Sequence, residues 1–346
     1  MTLSEVAGIQ LFLLSTLLSP FLFVHSKQDS TKPTSDKDKG WYAGTKPQTW
    51  YKDHEQCNGN NQSPLAFWDN DITVDPNMPE IRLDEYHAKA KGLILENNGH
   101  TIKIVLPDEY EIHPIVSGGG LNARYRLIQM HFHWGPVTEL GSEHTFGDDH
   151  FPLELHFVHL KENLTLDEAL LDPEGIAVLG VFFELSNEPD NALTPITNLL
   201  DKVAYKGEKQ EIKPHLDLFS LLPHDTSNFF TYHGSLTTPP CSEVVMWTLF
   251  TETHAISSKQ MQAFRNVHIH AKIDIADEPD IADKMLFNHR PTQPVNQRSI
   301  RTRRHKIGLP KKCLLYVGDS VSAAASLSYS LSRLCLLVFT VVILHF

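Results

Sequence analysis

The sequence has little positive charge, no long apolar run and little helical periodicity. Its 346 residues carry 30 Lys and Arg against 42 Asp and Glu, a formal net charge of −12 at pH 7, and this balance argues against nucleic acid as the main partner. Apolar residues recur at helical spacing only in short pieces, at 165–171, 192–203 and 257–267. There is also no internal repeat. These absences disfavour a helical or repeat fold, although a hydrophobic content of 41% supplies ample core.

Near the N-terminus the longest apolar run is shorter than the roughly 20 residues that span a bilayer. Residues 9–24 are apolar, interrupted mainly by two serines and a proline, and small residues follow. This pattern predicts a signal peptide over 1–26 rather than a buried helix, although the segment contains Glu5 and no Lys or Arg. The polar residues 27–39 predict a flexible leader.

The C-terminal end has the pattern of a GPI-attachment signal. Small residues, a polar spacer and an apolar tail follow one another at 322–324, 325–333 and 334–346. We predict a basic, Ser-rich stalk over 305–322, attachment at Ser322 and removal of 323–346. The protein would then lie on the extracellular face of the plasma membrane. The alternatives are attachment at Ser320 or Ala323, a short tail anchor, a last core helix, and secretion without an anchor.

Between the two ends, strand signals dominate from about residue 40 to 304. Short apolar runs separated by Gly, Pro and Asn-Gly predict strands near 92–96, 101–106, 127–134, 153–160, 176–185 and 243–251. The run 176–183 is continuously apolar, which is typical of a central strand buried on both faces. The sequence therefore predicts one mostly β (α+β) domain with a central sheet and short peripheral helices.

A pair of histidines within one predicted strand is the first sign of a functional site. His131 and His133 are two residues apart, so a strand directs both imidazoles to the same face. Two neutral imidazoles form half of a zinc site. The plainer alternative is two strand histidines that share a polar face.

A second alternating run strengthens the metal hypothesis. His156 lies in the next predicted strand, after the turn residues Gly141 and Gly147, and can face the first pair across the sheet. Three histidines with an open fourth position are the composition of a catalytic zinc site, whereas structural zinc sites are closed and usually rich in thiolates. Gln129 and Glu154 each precede a histidine ligand by two residues, so they share its face and can orient it by hydrogen bonding.

Four motifs together resemble the α-class carbonic anhydrases, and the chain as a whole resembles their GPI-anchored extracellular members of the type IV and type XV kind. The motifs are Gln129-x-His-x-His-Trp-Gly, Gly141-Ser-Glu-His-Thr, Glu154-Leu-His and Gly234-Ser-Leu-Thr-Thr-Pro-Pro. The resemblance covers about 40–304. It implies a twisted, mixed, largely antiparallel sheet of about ten strands, with the metal at the floor of a cone-shaped cleft.

The resemblance also implies the reaction, the reversible hydration of carbon dioxide to bicarbonate and a proton. Zinc on three neutral histidines lowers the pKa of a bound water to about 7, an effect for which carbonic anhydrase itself is the standard example, and the hydroxide attacks carbon dioxide. By resemblance Thr237 and Glu143 orient this nucleophile, and Thr238 binds bicarbonate. The matching apolar pocket consists of Val158, Val178, Leu236 and Trp247.

Regenerating the hydroxide requires a proton path, and His100 matches the proton-shuttle histidine of the family. Its pKa would lie near 6.5 if unperturbed, which suits transfer at neutral pH; the plainer alternative is a turn histidine on the surface. By resemblance Asn98 and Tyr232 belong to the hydrogen-bond network of the cleft. The sequence departs from the family at Lys103, where a smaller neutral residue is usual, and at His289, where an aromatic is common.

The cysteines and one sequon fit a secreted protein. The resemblance implies a disulfide between Cys57 and Cys241, which would stabilise the fold by a few kcal/mol. Cys335 lies in the tail expected to be removed, and Cys313 in the stalk is either a free thiol or an intermolecular bridge. Asn163-Leu-Thr is a candidate glycosylation site.

Two other functions remain as alternatives to a zinc enzyme acting on carbon dioxide. One is a catalytically silent ectodomain that binds a partner, against which the complete ligand set argues. The other is a zinc esterase for larger acyl substrates, against which the apolar pocket argues.

The expected partners are carbon dioxide and bicarbonate, the membrane through the anchor, and bicarbonate or acid transporters as candidates. The oligomeric state is left open.

Overall fold

The computed structural model describes residues 46–88, 91–107, 113–213, 215–272 and 284–303. Within these ranges no helix has the length and apolar character needed to cross a bilayer. The predicted signal peptide, leader, stalk and GPI signal, with Ser322, Cys313 and Cys335, lie outside the described residues and stay predictions.

Strands make up most of the regular structure. In chain order they are β1 Ala66–Phe67, β2 Ile72–Val74, β3 Ile81–Asp84, β4 Ile94–Asn97, β5 Ile102–Val105, β6 Ile115–Gly118, β7 Tyr125–Trp134, β8 Thr145–Phe146, β9 Leu153–Lys161, β10 Ile176–Ser186, β11 Lys209–Glu211, β12 Phe229–Gly234, β13 Val245–Phe250, β14 His254–Ser257 and β15 Ile300–Thr302. The helices are α1 Leu166–Ala169, α2 Thr194–Thr197 and α3 Ser258–Arg265, with short 3-10 helices at Pro47–Lys52, Glu55–Asn58, Asp69–Asp71, Leu200–Val203 and Phe219–Leu221. The mostly β prediction is confirmed.

Thirteen of these strands form one mixed sheet. Its main path runs β11-β4-β5-β7-β9-β10-β13-β12-β15-β2, while β3, β6 and β14 pair beside that path. Most pairs are antiparallel; the parallel ones in this sheet are β10 with β13, β10 with β14, and β15 with β2. The predicted sheet of about ten strands corresponds to the main path.

Strand β10 is central, as its continuous apolar run predicts. It pairs with β9 on one side and β13 on the other, and residues 176–183 are all buried. The neighbouring β9 sends Leu155 and Phe157 into one apolar cluster and Val158 into a second. The sheet therefore separates two cores, and the second shares its face with the polar residues Glu154 and His156.

The helices are shorter than their apolar patterns suggest. α1 and α3 begin at capping boxes, formed by Thr165 with Glu168 and by Ser257 with Gln260. The predicted helix over 192–203 is instead two pieces, α2 and a 3-10 turn. Threonine and asparagine in its centre have low helix propensity, which favours this interruption.

A partly buried histidine ties three segments together at the edge of the fold. The ring of His254 has Nδ1 3.1 Å from Asp190 Oδ2 and Nε2 2.7 Å from the Leu222 carbonyl oxygen. Both ring nitrogens can donate only when the imidazole is protonated. Burial lowers the pKa of His254, but its hydrogen bonds to Asp190 and Leu222 and the nearby carboxylates outweigh burial and raise the pKa above 6.5.

This arrangement predicts a pH-dependent contribution to stability. It is fully present below the unfolded-state pKa and lost as pH rises through the higher folded-state pKa. We expect His254→Gln to lower the free energy of unfolding by about 1 kcal/mol more near pH 6 than near pH 9, measured by urea denaturation. His224→Gln is the control, since His224 is exposed and its ring lies 6.4 Å away. An equal loss at both pH values would contradict the assignment.

Candidate metal centre

Two neighbouring strands bring the predicted histidine ligands together. β7 and β9 pair antiparallel, with His131 opposite His156 and His133 opposite Glu154. Because alternate residues of a strand share a face, all three imidazoles lie on the same side of the sheet. Each offers a ring nitrogen, and these atoms lie within 4.8 Å of one another. His268 and His270 belong to no such group within the described ranges.

Hydrogen bonds on the outer side of each ring fix which nitrogen faces the centre. His131 Nδ1 is 3.1 Å from Gln129 Oε1, and His133 Nδ1 is 2.7 Å from the carbonyl oxygen of Asn288. His156 Nε2 is 2.7 Å from Glu154 Oε1. Each acceptor takes the N–H of its ring, so the lone pairs of His131 Nε2, His133 Nε2 and His156 Nδ1 point inward.

These inward lone pairs are suited to a metal cation. His131 Nε2 and His156 Nδ1 face each other at 3.3 Å although both protons are directed outward. Among the described residues, His133 Nε2 and Glu143 Oε2 are buried without a hydrogen-bond partner, 3.4 Å apart. Unsatisfied buried acceptors are costly unless a cation lies among them. Three imidazoles with an adjacent carboxylate fit Zn²⁺ better than Mg²⁺ or Ca²⁺, which prefer oxygen ligands.

The protonation states support the same conclusion. Burial and the neighbouring His156 lower the pKa of both His131 and His133 well below 6.5. Both rings are therefore neutral at physiological pH, which is the form that binds metals.

A buried hydrogen-bond chain extends from the ligand His156 to Ser63. Glu154 Oε2 accepts from the main-chain N–H groups of Glu143 and His144, and Oε1 accepts from the rings of His144 and His156. His144 Nε2 is 2.6 Å from the Tyr232 hydroxyl, which donates to Ser63 Oγ. His144 is thus a buried, hydrogen-bonded residue.

Tyr232 lies on the same face of the sheet as the histidines, because it is opposite Trp247, which is opposite Val178. Its side chain is 1% exposed, and its hydroxyl is connected to His156 through His144 and Glu154. Its place in the hydrogen-bond network of the cleft stays a prediction.

The four bonds to Glu154 predict a large effect of a conservative change. Glu154→Gln keeps the shape but replaces one acceptor oxygen by a donor, so either the two imidazole N–H groups or the two main-chain N–H groups lose their acceptor. We expect a loss of about 2–4 kcal/mol in the free energy of unfolding and of about 10- to 100-fold in zinc affinity. Glu174→Gln, at a surface carboxylate bonded to Asn122, is the control for both denaturation and zinc competition. Wild-type zinc affinity in Glu154→Gln would refute this role.

Glu143 and Thr237 meet beside the histidines. Glu143 is fully buried, Thr237 is 6% exposed, and their side chains are hydrogen bonded. Burial and the Glu154 carboxylate raise the pKa of Glu143, while the bonds from Thr237 and from the main-chain N–H of Arg290 oppose this rise. A dication at the histidines would further favour the carboxylate. The Thr237 hydroxyl then donates its hydrogen bond to the Glu143 carboxylate, so its oxygen can only accept a hydrogen bond from a third group.

The Thr237 loop is held by the disulfide. Cys57 and Cys241 are bonded, as the resemblance implies, and both are buried against Trp50. Arg290 joins this region to Glu143, because its guanidinium donates to the Cys57 and Ser63 carbonyl oxygens while its main-chain N–H donates to Glu143.

The predicted apolar pocket residues form a row next to the histidines. Val158, Val178 and Trp247 are directly opposite one another on β9, β10 and β13 and are at most 7% exposed. Leu236 packs against the same cluster, and Thr238 is half-buried. The pocket residues predicted from the sequence therefore lie together.

The turn that carries His100 is tied to the same site. Asn98 Oδ1 accepts from the main-chain N–H groups of His100 and Thr101, and Asn288 Nδ2 donates to the His100 carbonyl oxygen. Asn98 thus shapes the turn. Burial and the charge of Lys206 lower the pKa of His100 to about 4, well below the value expected for an unperturbed histidine.

Two positions near the site were missed by the sequence reasoning. Asn288 contacts His133, Trp134 and the His100 turn, and Arg290 donates to Glu143. Neither lies in a periodic segment, and their partners are far away in sequence.

His289, noted as a departure from the family, is buried against the rings of His150 and Phe287. The candidate glycosylation residue Asn163 is exposed in a turn with φ of 68°.

Comparison with known proteins adds an independent line of evidence. Residues 45–304 match the family model of the eukaryotic-type carbonic anhydrases. The chain is 37% identical over 295 residues to "Putative carbonic anhydrase 5" of Caenorhabditis elegans, covering 84% of this chain and 90% of that protein. It is 35% identical over 266 residues to carbonic anhydrase 3 of Rattus norvegicus (77% and 98% covered). It is 36% identical over 266 residues to carbonic anhydrase 7 of Homo sapiens (76% and 96% covered).

Proposed function

Because the chain belongs to the eukaryotic-type carbonic anhydrase family, we propose that this enzyme uses zinc to hydrate carbon dioxide reversibly at the outer surface of the cell. The observation that carries the proposal is the convergence of three imidazole lone pairs beside the Glu143–Thr237 pair. His131, His133 and His156 would hold the zinc.

A zinc ion on three neutral histidines supplies a Lewis acid that ionises water near neutral pH. The chain's own residues then determine what this site accepts. The Thr237 hydroxyl donates to Glu143 and can therefore only accept a hydrogen bond from a reactant. It favours a reactant oxygen that carries a proton, and the hydrogen bond orients the lone pair of that reactant oxygen. The apolar row of Val158, Val178 and Trp247 favours a small, uncharged substrate over an ion.

We also propose that His100 receives the released proton, but with a poor pKa match. Transfer of a proton to a group of pKa about 4 is unfavourable when the pKa of the donor is near 7. We therefore expect His100→Ala to lower kcat for hydration by much less than the roughly 100-fold that a matched acid–base group supplies, and imidazole buffer to raise kcat of the wild type as well as the variant. A wild-type kcat that does not change with buffer concentration, with a fall of about 100-fold in the variant, would contradict this expectation.

Stopped-flow measurement of carbon dioxide hydration, beside hydrolysis of a neutral aryl ester on the same zinc-loaded protein, tests the main proposal. We expect fast hydration and ester hydrolysis only as a weak side activity, both lost on zinc chelation. Ester hydrolysis without hydration would favour the esterase, and zinc binding without either reaction would favour a binding ectodomain.

The cell-surface location rests on the terminal sequence patterns and on the disulfide, which suits an oxidising compartment. These patterns also support the likeness to GPI-anchored members of the family and transporters of bicarbonate or acid as neighbours. A phospholipase specific for GPI should release the protein from intact cells. Retention in the membrane fraction would overturn the anchor proposal.

A further inference from the structure

A row of charged side chains crosses the sheet and ends at a candidate zinc ligand. Lys209 on β11 is opposite Glu96 on β4, Glu96 is opposite Lys103 on β5, and Lys103 is opposite His131 on β7. Residues directly opposite in a sheet share a face. Lys103 is therefore on the metal face, one strand from His131.

The ion pairs in this row leave a net positive charge beside the site. Glu96 Oε1 lies 3.3 Å from Lys209 Nζ, and Glu96 Oε2 lies 3.9 Å from Lys103 Nζ. One carboxylate thus serves two ammonium groups. The longer contact belongs to Lys103, whose side chain is 30% exposed, so its ammonium has donors available for a further acceptor.

The neighbouring row of residues on the same face carries no charge. In the adjacent row, Val105 is opposite Gln129, which is opposite Val158 of the apolar pocket. This row offers nothing to an anion except the Gln129 amide, and that group's oxygen is engaged by His131. Lys103 also lies close enough to be one of the charges that lower the pKa of His131.

We propose that Lys103 forms a subsite for a small monovalent oxyanion beside the metal centre, and that bicarbonate is its ligand during the reaction. This inference rests on the proposed function. A cation there stabilises the bound bicarbonate and has little effect on neutral carbon dioxide. Glu96 weakens the attraction for the anion by partly neutralising the Lys103 ammonium.

The kinetic consequence concerns one direction of the reaction. Removing the charge weakens the complex with bicarbonate, so we expect Lys103→Gln to raise the KM for bicarbonate in dehydration by about two- to five-fold, the effect of one partly solvated charge. The KM for carbon dioxide should stay unchanged. These constants are measured in saturating imidazole buffer, in which proton transfer does not limit turnover. Because the charge acts on the bound anion rather than on the transition state, kcat for dehydration should then rise with KM.

A direct binding measurement tests the subsite independently of turnover. Nitrate, a planar monovalent anion of similar size to bicarbonate, is titrated calorimetrically into the zinc-loaded full chain. We expect Lys103→Gln to raise the Kd about two- to five-fold, and Glu96→Gln to lower it. Lys209→Gln is the matched control, since that lysine carries the same charge at the outer end of the row with 59% of its side chain exposed, and should change the Kd little.

The possible results separate the two proposals. Equal nitrate affinity in the wild type and Lys103→Gln, with hydration intact, would overturn the subsite and leave the enzyme assignment standing. A loss as large in Lys209→Gln would also overturn it, because the effect would then be a general one of surface charge. Absence of hydration in the wild type would overturn the proposed function, whatever nitrate does.

Discussion

Replacing His133 by alanine is expected to remove bound zinc and carbon dioxide hydration together. His133 is 2% exposed, its Nδ1 proton is directed to the Asn288 carbonyl oxygen, and its Nε2 faces the other two ligands. Loss of an outer hydrogen-bond partner of a zinc ligand costs about 10- to 100-fold in metal affinity, so loss of the ligand itself should cost more. Zinc content by mass spectrometry and hydration by stopped flow should fall in parallel.

His270→Ala is the control for this change. His270 belongs to the second H-x-H pair of the chain but to no metal-binding group within the described ranges, so its replacement should leave zinc content and hydration unchanged. Near-ultraviolet circular dichroism establishes that both variants are folded. A folded His133→Ala protein that retains one zinc and full activity would exclude this histidine as a ligand.

Thr237→Val is expected to lower kcat/KM for hydration by about 100-fold while zinc stays bound. The substitution keeps the shape but removes both the bond to Glu143 and the hydroxyl oxygen that would accept a hydrogen bond from a protonated reactant oxygen. One preorganised hydrogen bond at a reacting centre is typically worth about 100- to 1000-fold in rate. Anions that cannot donate a hydrogen bond, such as thiocyanate, should bind more tightly to the variant, because the discrimination against them is lost.

Thr248→Val provides the matched comparison. Thr248 is a fully buried threonine of β13 whose hydroxyl has no hydrogen-bond partner among the described residues, so its removal should not affect hydration. If Thr237→Val retains wild-type kcat/KM, the Glu143–Thr237 pair does not orient the nucleophile. The double variant with Glu143→Gln should be little slower than either single variant, since residues that act as a unit are not additive.

The local geometry of the site could be predicted from sequence because it depends on strand periodicity. An H-x-H pair and a third histidine in the next strand need only alternation and one antiparallel pairing to converge, and β7 and β9 provide both. The same holds for β10, whose unbroken apolar run requires burial on two faces.

Contacts between distant segments were much less predictable. Asn288 reaches His133 across 155 positions of sequence, and no local pattern encodes that approach. The pKa of His100 likewise depends on burial and on Lys206, neither of which the motif around it contains. The contact of the Tyr232 hydroxyl with His144 likewise joins positions 88 residues apart in the sequence.

The most direct test of the central claim is hydration activity as zinc is returned to the metal-free protein. We expect carbon dioxide hydration to rise linearly with added zinc and to stop rising at one zinc per chain, with no recovery in His133→Ala. Activity that does not depend on zinc, or a folded protein that binds one zinc at these histidines and remains inactive, would contradict the account.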